Sequence, residues 1–354
     1  MRKLGAIVAA LVLVGGCGGG PSPAPSASPS AAPSPPSPSS TSAAPQPATV
    51  RLALDWTPNT NHTGFFVAQQ TGWYGDAAIT LQILPYSGIA PDTLVGQHQA
   101  ECGITFQDTL TFAVASGVKE TSVMAILQRT ASQIAVLESS SIERPRDLDG
   151  RVYGGFGYPN EVPTVKSVIQ HDGGKGDFKN VVIDTAAYEA LYAKRVDFTI
   201  PFTAWEGVEA DLRGIDLRYF AFTDYGFPEF YQVVLACDPD WLSREPDAAR
   251  RFVAATVRGF ELAARDPDAG AAMLIAENQG AFEANPELPK ASAELLAREG
   301  YYVDDGGRVG TQTLERWQGY SGFLYDQGLL VDADGKRVTS PPDYATLFTN
   351  DFLP

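Results

Sequence analysis

From residue 50 onward, short runs of apolar and β-branched residues alternate with longer stretches in which apolar side chains recur every three or four positions. The short runs predict strands at Val50 to Leu54, Ile79 to Leu84, Cys102 to Thr105, Ser122 to Leu127, Ile134 to Leu137, Arg151 to Gly155, Val181 to Asp184, Asp197 to Ile200, Leu217 to Phe220 and Tyr231 to Ala236. Between them the helical period predicts Thr63 to Thr71, Asp92 to Gln97, Gln107 to Ser116, Val162 to His171, Ala186 to Ala193 and Thr203 to Leu212. After Asp238 the strands stop and longer helices follow, at Pro246 to Arg265, Asp268 to Glu277, Pro289 to Tyr301 and Thr311 to Gln327. Alternation of this kind signals α/β layering rather than a sandwich or a bundle. Two extended runs, Ile126 to Leu137 and Phe230 to Ala236, bracket a central block with its own βαβ pattern. That predicts two α/β lobes, one from residues 49–137 plus 231–354 and the other from 138–230, with a two-segment hinge near Gln128 to Gln133 and Phe230 to Val234.

The first 48 residues follow other rules. Arg2 and Lys3 precede a compact apolar run, Leu4 to Val14, the charge-then-hydrophobe order of a secretory signal over residues 1–16. Such a run is too short to span a bilayer as a helix, which takes about 20 residues. It ends in Val14, Gly15, Gly16 and Cys17, which resembles the lipobox of bacterial lipoproteins and implies a lipid anchor on Cys17; ordinary secretion is the alternative. Residues 17–48 then form an uncharged stretch, almost entirely Pro, Ser, Ala and Gly, that cannot build a core. It reads as a tether reaching at most about 90 to 100 Å at PPII spacing, and a mucin-like glycosylated tract would serve the same end. The expected location is the cell membrane, lipid-anchored, on its extracytoplasmic face.

Charge and cysteine content narrow the function classes. Without Arg2 and Lys3 there are 24 basic against 42 acidic residues, a net charge of −18, which makes nucleic acid an unsuitable partner. The acids are spread rather than clustered, so they argue for solubility and not for one ligand. Cys102 and Cys237 each sit in a strand-like run; export permits a disulfide between them, and two buried unpaired thiols are the plainer reading. There is no CxxC or HExxH, and His62, His98 and His171 are scattered, so neither a metal site nor a cofactor is expected.

The segment Asp55 to Gly64 (DWTPNTNHTG) follows a strand and precedes a helix, where α/β sheets bind ligands. Turn formation and helix capping account for Asn61 or Thr63, but not for Trp56. With the following FFVAQQTGWY, this segment resembles the N-terminal signature of the NMT1/Thi5-like substrate-binding proteins, especially the members that bind thiamine pyrimidine precursors. The likeness continues through Gly103 to Gln107, RDLDG at Arg146 to Gly150, GGFGYPNE at Gly154 to Glu161, WEGVEA at Trp205 to Ala210 and the terminal FTNDFLP. The resemblance implies a type II periplasmic-binding fold, no catalytic activity, and an ABC importer's permease and ATPase subunits as partners of a monomeric binder. Some relatives are pyrimidine synthases that use a histidine as substrate and need a cysteine-rich iron motif, which this chain lacks.

An aminopyrimidine offers flat faces and an edge of adjacent donors and acceptors. Trp56, Tyr158, Tyr188 and Trp205 are the candidates for the faces; Asn59, Gln107 and Glu161 are candidates for the edge, the amides by the bidentate logic with which Asn reads adenine. Core packing is an equal reading for Tyr188, a first-turn acid for Glu161, a cap for Glu206 and a structural role for His62. Phe156 stands where relatives carry a larger aromatic. The expected ligand is hydroxymethylpyrimidine or formylaminopyrimidine, with riboflavin, another heterocycle or a sulfonate as alternatives; a sulfonate would call for an Arg and free backbone amides in the cleft.

Overall fold

A computed structural model describes residues 15, 18–20 and 44–354. The expected signal peptide, Cys17 and nearly all of the tether lie outside the described residues. The chain divides into Met1–Ala44 and Pro45–Pro354, and the second unit alone is described below.

The first layer is a five-stranded sheet built from β1 (Ala48–Ala53), β2 (Ile79–Leu84), β3 (Cys102–Thr105), β4 (Thr121–Leu127) and the late strand β9 (Val233–Cys237), in the order β2-β1-β3-β9-β4. β1 pairs in parallel with β2 and β3, while β9 runs antiparallel between β3 and β4. Every residue of β3 and β9 is buried, as near-continuous apolar runs in a covered sheet must be. Ala48 already belongs to β1, and Arg251 Nη2 donates to Gln46 O, so the last residues of the segment expected as tether are part of the folded unit.

The central block carries β5 (Ile134–Leu137), β6 (Val152–Gly155), β7 (Lys179–Val182) and β8 (Leu217–Phe220). β5 and β8 pair antiparallel, β6 and β7 in parallel. The strand expected at Asp197 to Ile200 is reduced to single bridges, Thr199 to Ala135 and Phe198 to Tyr153, which tie the two ribbons together. Pro201 follows immediately and lacks the N–H needed to extend the ladder.

Helices cover both layers: α1 (Thr63–Gln70), α2 (Trp73–Asp76), α3 (Pro91–Gly96), α4 (Gln107–Ala115), α5 (Glu161–His171), α6 (Ala186–Tyr192), α7 (Val208–Leu212), α8 (Pro239–Arg244), α9 (Pro246–Arg265), α10 (Pro267–Glu277), α11 (Leu288–Arg298) and α12 (Leu314–Asp326). The stretch expected as one helix from Thr203 starts instead as a π-helical turn, Thr203–Gly207, before α7; such turns concentrate at functional sites. The amphipathic helix α9 buries Phe252, Val253, Thr256 and Phe260. It approaches α1 so closely that a Cβ on Gly259 would overlap the carbonyl oxygen of Gly64.

Two large apolar clusters result. One joins Leu52, Phe65, Ile104, Leu235 and Phe260 beneath the five-stranded sheet; the other joins Val136, Tyr153, Ile169, Phe198 and Phe227 in the central block. α12 contributes Tyr320 and Leu324 to the second cluster, while its Trp317 packs with Leu110 and Tyr231. Cys102 and Cys237 face one another across β3 and β9 and are joined in a disulfide, which overturns the reading of two unpaired thiols.

The segments between the layers are cross-linked. Glu229 accepts from the Thr130 backbone N–H at 2.7 Å, and Gln232 Oε1 accepts from the N–H groups of Ala131 and Ser132. Both expected hinge strands are thereby bonded to each other.

Candidate ligand-binding site

A cavity of about 460 Å³ opens at the carboxyl ends of β1 and β3 and is completed by the central block. Its volume suits a small organic ligand. Trp56, Asn59, Tyr158, Glu161, Tyr188 and Trp205 all line it, although they come from segments far apart in the chain. A cavity of equal volume behind α9 and α11 gathers none of them.

Four aromatic side chains offer faces at different depths. Trp56 is 43% exposed and lies 5.1 Å, centroid to centroid, from Tyr86. Tyr158 stands at the mouth, 65% exposed. Deeper in, Tyr188 lies 5.6 Å from Phe156, and burial raises its hydroxyl pKa. Trp205, on the π turn, is held edge-on by Phe282 at 6.3 Å. The floor is Phe230 against Tyr320, 4.2 Å apart.

Two of the expected contacts are corrected. His62 is wholly buried and does not line the cavity: its Nδ1 accepts the Asn59 N–H and its Nε2 lies 2.7 Å from Asp55 Oδ1. Gln107 is equally buried, with Nε2 donating to the Arg316 and Trp317 carbonyls and Oε1 accepting from the Tyr231 N–H. Every polar atom of that amide is committed to joining α4, α12 and the entry to β9, so none is left for an edge.

The asparagines of the first loop exchange expected roles. Asn59 caps the 3-10 turn Thr60–His62, Oδ1 accepting from Asn61 N at 2.9 Å and Nδ2 donating to the Thr57 carbonyl. Asn61, expected as a turn former, lines the cavity with a buried Oδ1 that has no partner. Asn160 Oδ1 is also buried and unpartnered there, while Tyr153 OH and Thr164 Oγ1 face Glu161 and Tyr320 without a well-formed hydrogen bond. A buried polar atom left unpaired costs about 1 to 3 kcal/mol, so the two asparagine oxygens are the groups a polar ligand would satisfy.

Glu161 takes a different place from the one its chemistry suggests. Its carboxylate accepts from the backbone N–H groups of Phe156, Gly157 and Tyr158 at 3.0 to 3.3 Å, filling the amide nest of the GFGY loop. Gly155 makes room, since a Cβ there would lie 2.7 Å from Glu161 Oε2, and Gly157 supplies the left-handed backbone at φ +97°. Burial nevertheless raises the Glu161 pKa against those donors. A nest of this kind binds anions, and here the protein's own carboxylate occupies it.

The charged lining is of one sign. Asp55, Asp92, Asp108, Glu161, Asp184 and Glu206 line the cavity, and among the described residues no Lys, Arg or His does. Asp108 accepts from Asn160 Nδ2 at 2.7 Å and Tyr320 OH at 3.2 Å, and burial raises its pKa. Asp92 accepts from Thr105 Oγ1, and burial raises it too. Glu206, read from sequence as a cap, does accept the Phe202 N–H at 3.1 Å, and burial pushes its pKa up to about 7. Sequence reasoning missed Tyr86, Asp92 and Asp108 as lining residues, for which no local signal exists, and also Asn61 and Asn160, although both lie within segments singled out for the site.

Against known proteins, the family described as NMT1/THI5 like matches residues 59–270. The chain belongs to the NMT1/THI5-like family. Among relatives, it is 24% identical to the formylaminopyrimidine-binding protein of Halalkalibacterium halodurans over 276 residues, covering 76% of this chain and 82% of that one. It is 27% identical to the 4-amino-5-hydroxymethyl-2-methylpyrimidine phosphate synthase of Legionella pneumophila, covering 68% of this chain and 74% of the relative. In structure it is similar to the alkanesulfonate-binding protein of Xanthomonas axonopodis pv. citri bound to MOPS, with a TM-score of 0.62 at 15% identity over 88% of this chain and 99% of the other. This NMT1/THI5-like chain therefore has the two-lobed α/β periplasmic-binding-protein fold expected from its sequence.

Proposed function

We propose that this NMT1/THI5-like protein is the extracytoplasmic binding component of an ABC importer and captures a thiamine pyrimidine precursor, formylaminopyrimidine or hydroxymethylpyrimidine. The observation that carries the reading is a cavity with aromatic faces from four segments and unpartnered polar atoms at its walls, but no basic side chain among the described residues. Similarity to a formylaminopyrimidine-binding protein supports the ligand, and the fold supports the transport role. The protein is held outside the membrane through lipidated Cys17 and the tether, as a monomer, and closes its lobes, 49–137 plus 231–354 and 138–230, about the segments near Thr130 and Gln232. Tethering keeps the binder at high effective concentration near its permease.

The alternatives fit less well. A sulfonate needs cations or free amides, and Glu161 occupies the amide nest. A synthase of the family type would need a cysteine-rich motif, whereas Cys102 and Cys237 are spent in a disulfide. Native mass spectrometry of the protein as purified, followed by calorimetry with both pyrimidines, riboflavin and an alkanesulfonate, tests the reading. Binding of the sulfonate or the flavin without either pyrimidine would sink it.

A further inference from the structure

Glu206 differs from the other carboxyl groups of the cavity in what surrounds it. Glu161 has both oxygens engaged by three backbone amides, Asp108 is bonded by Asn160, Tyr320 and the Thr109 N–H, and Asp92 by Thr105. Asp55 is held by His62, and Asp184, to which no described side chain donates, is exposed to solvent. At Glu206 the Phe202 N–H donates to Oε2, and among the described residues no side chain donates to either oxygen. The groups that face it add no positive charge: Glu209 from its own helix, and Tyr188 and Tyr192 from α6. Arg213 at the end of α7 is paired with Glu189 and lies 3.9 Å from Glu209. On α11, which packs against the π turn, Lys290 pairs with Glu287 and Arg298 with Glu299.

We infer that the cavity takes its ligand as a pair sharing one proton with Glu206 Oε1, and that it rejects the phosphorylated form of the same ring. This deepens the proposed function and rests on it for the identity of the ring. An ionised carboxylate enclosed without a cation is costly, and ligand burial removes the water that offsets that cost in the open cavity. With five other acids lining the wall, a further negative charge raises the electrostatic energy, whereas a proton lowers it. A heteroaromatic nitrogen meets this need by sharing a proton with the carboxyl. The proton lies on Glu206 or on the ring nitrogen, and the pair is net neutral or a compensated ion pair. Above the pH at which free Glu206 ionises, the missing proton is drawn from solvent. A phosphomonoester brings negative charge that no described side chain lining the cavity can meet.

The sign of the pH dependence follows. The free carboxyl titrates at about 7. Affinity of the purified protein for the aminopyrimidine should fall by roughly tenfold per pH unit above that value. Calorimetry at about pH 8 in buffers of low and high ionisation heat should show uptake approaching one proton per ligand bound. Glu206→Gln, which cannot ionise, should bind with an affinity that no longer changes between about pH 6.5 and 8.5. The phosphate ester of hydroxymethylpyrimidine should bind at least about 100-fold more weakly than the alcohol. The wild-type proton count requires no variant, so a Glu206→Gln protein that fails to fold does not remove the test. Aminopyrimidine binding that is pH-independent, that tightens as pH rises, or that is matched by the phosphate would overturn the inference and leave the pyrimidine reading standing. If neither pyrimidine binds but thiamine or riboflavin does, with Glu206-dependent proton uptake, the pyrimidine reading falls and this inference stands. Binding of an alkanesulfonate alone overturns both.

Discussion

His62 Nε2 lies 2.7 Å from Asp55 Oδ1, and the same ring receives the Asn59 N–H at Nδ1. The acceptor role of Nδ1 places the proton on Nε2, so the buried imidazole donates to Asp55 and clamps both ends of the loop that presents Trp56. His62→Ala leaves a buried N–H and a largely buried carboxylate without partners, which should lower stability by about 2 to 3 kcal/mol, read from chemical denaturation. Ligand affinity should weaken with it. Lost binding at unchanged stability would instead make His62 a direct contact.

Trp56 supplies a face from the loop after β1 and Trp205 another from the π turn before α7. Replacing either by Ala should weaken the aminopyrimidine by roughly ten- to thirtyfold, given about 0.5 to 1.5 kcal/mol per aromatic pair beyond the area lost, and should shrink the ligand-induced thermal shift. Gln107→Ala should do the reverse: it breaks hydrogen bonds to three backbone groups, so the unfolding midpoint should fall, with a smaller effect on affinity in the protein that remains folded. Equal losses of affinity in all three variants would contradict the placement of Gln107.

Gly259→Ala tests the seat of the first loop. A methyl overlapping Gly64 O cannot be accommodated without moving α1 from α9, and forced overpacking costs about 1 to 3 kcal/mol. Because α1 begins at Thr63, directly after the loop, both the melting temperature and the affinity should drop. An unchanged melting temperature would mean that the helices lie farther apart.

Glu120 is 3% exposed, and neither carboxyl oxygen has a partner among the described hydrogen bonds. Burial and then the adjacent Asp92 raise its pKa well above the ordinary 4.5. The folded protein therefore holds a proton that the unfolded chain releases. The stabilisation is complete below the usual carboxylate range and is lost as pH climbs toward the raised value. Glu120→Gln should remove this decline, so the variant's gain in unfolding free energy over wild type should grow with pH. A difference that is flat from about pH 5 to 9 would contradict it.

The Cys102–Cys237 bond closes a separation of 135 residues between neighbouring strands of the sheet. Constraint of so long a loop places its contribution toward the upper end of the usual range, about 4 kcal/mol. Reduction, or Cys102→Ser with Cys237→Ser, should lower the denaturation midpoint by a corresponding amount. No change on reduction would show that the thiols do not pair.

Much of the molecule was legible in the chain because strands and helices declare themselves through short-range periodicity. The runs at Ile79, Cys102, Ile134 and Leu217 begin and end where the strands do, since each is a β-branched or apolar stretch bounded by turn residues. Asp197 to Ile200 broke the rule: a run of suitable composition became two bridges when Pro201 and the neighbouring ribbons set its pairing. The position of the site after β1 was likewise local, because Trp56 had no packing duty to explain it.

Which polar atoms face the ligand was decided mainly by tertiary structure. Asn59 and Asn61 are the same residue type two positions apart, yet one side chain is consumed by a 3-10 turn and the other opens on the cavity. Gln107 has the chemistry of a ligand contact but is held by backbone groups of α12 and Tyr231 that only the fold brings to it, whereas Glu161 is taken up by the amides of the loop just before it. Asp92, Asp108 and Glu206 look like ordinary first-turn acids until enclosure makes them the walls of one acidic chamber. Periodicity follows from the chain's own geometry and can be read locally. The partner of a hydrogen-bonding group, and the loss of water that shifts a carboxyl's pKa, depend on which distant segments arrive beside it.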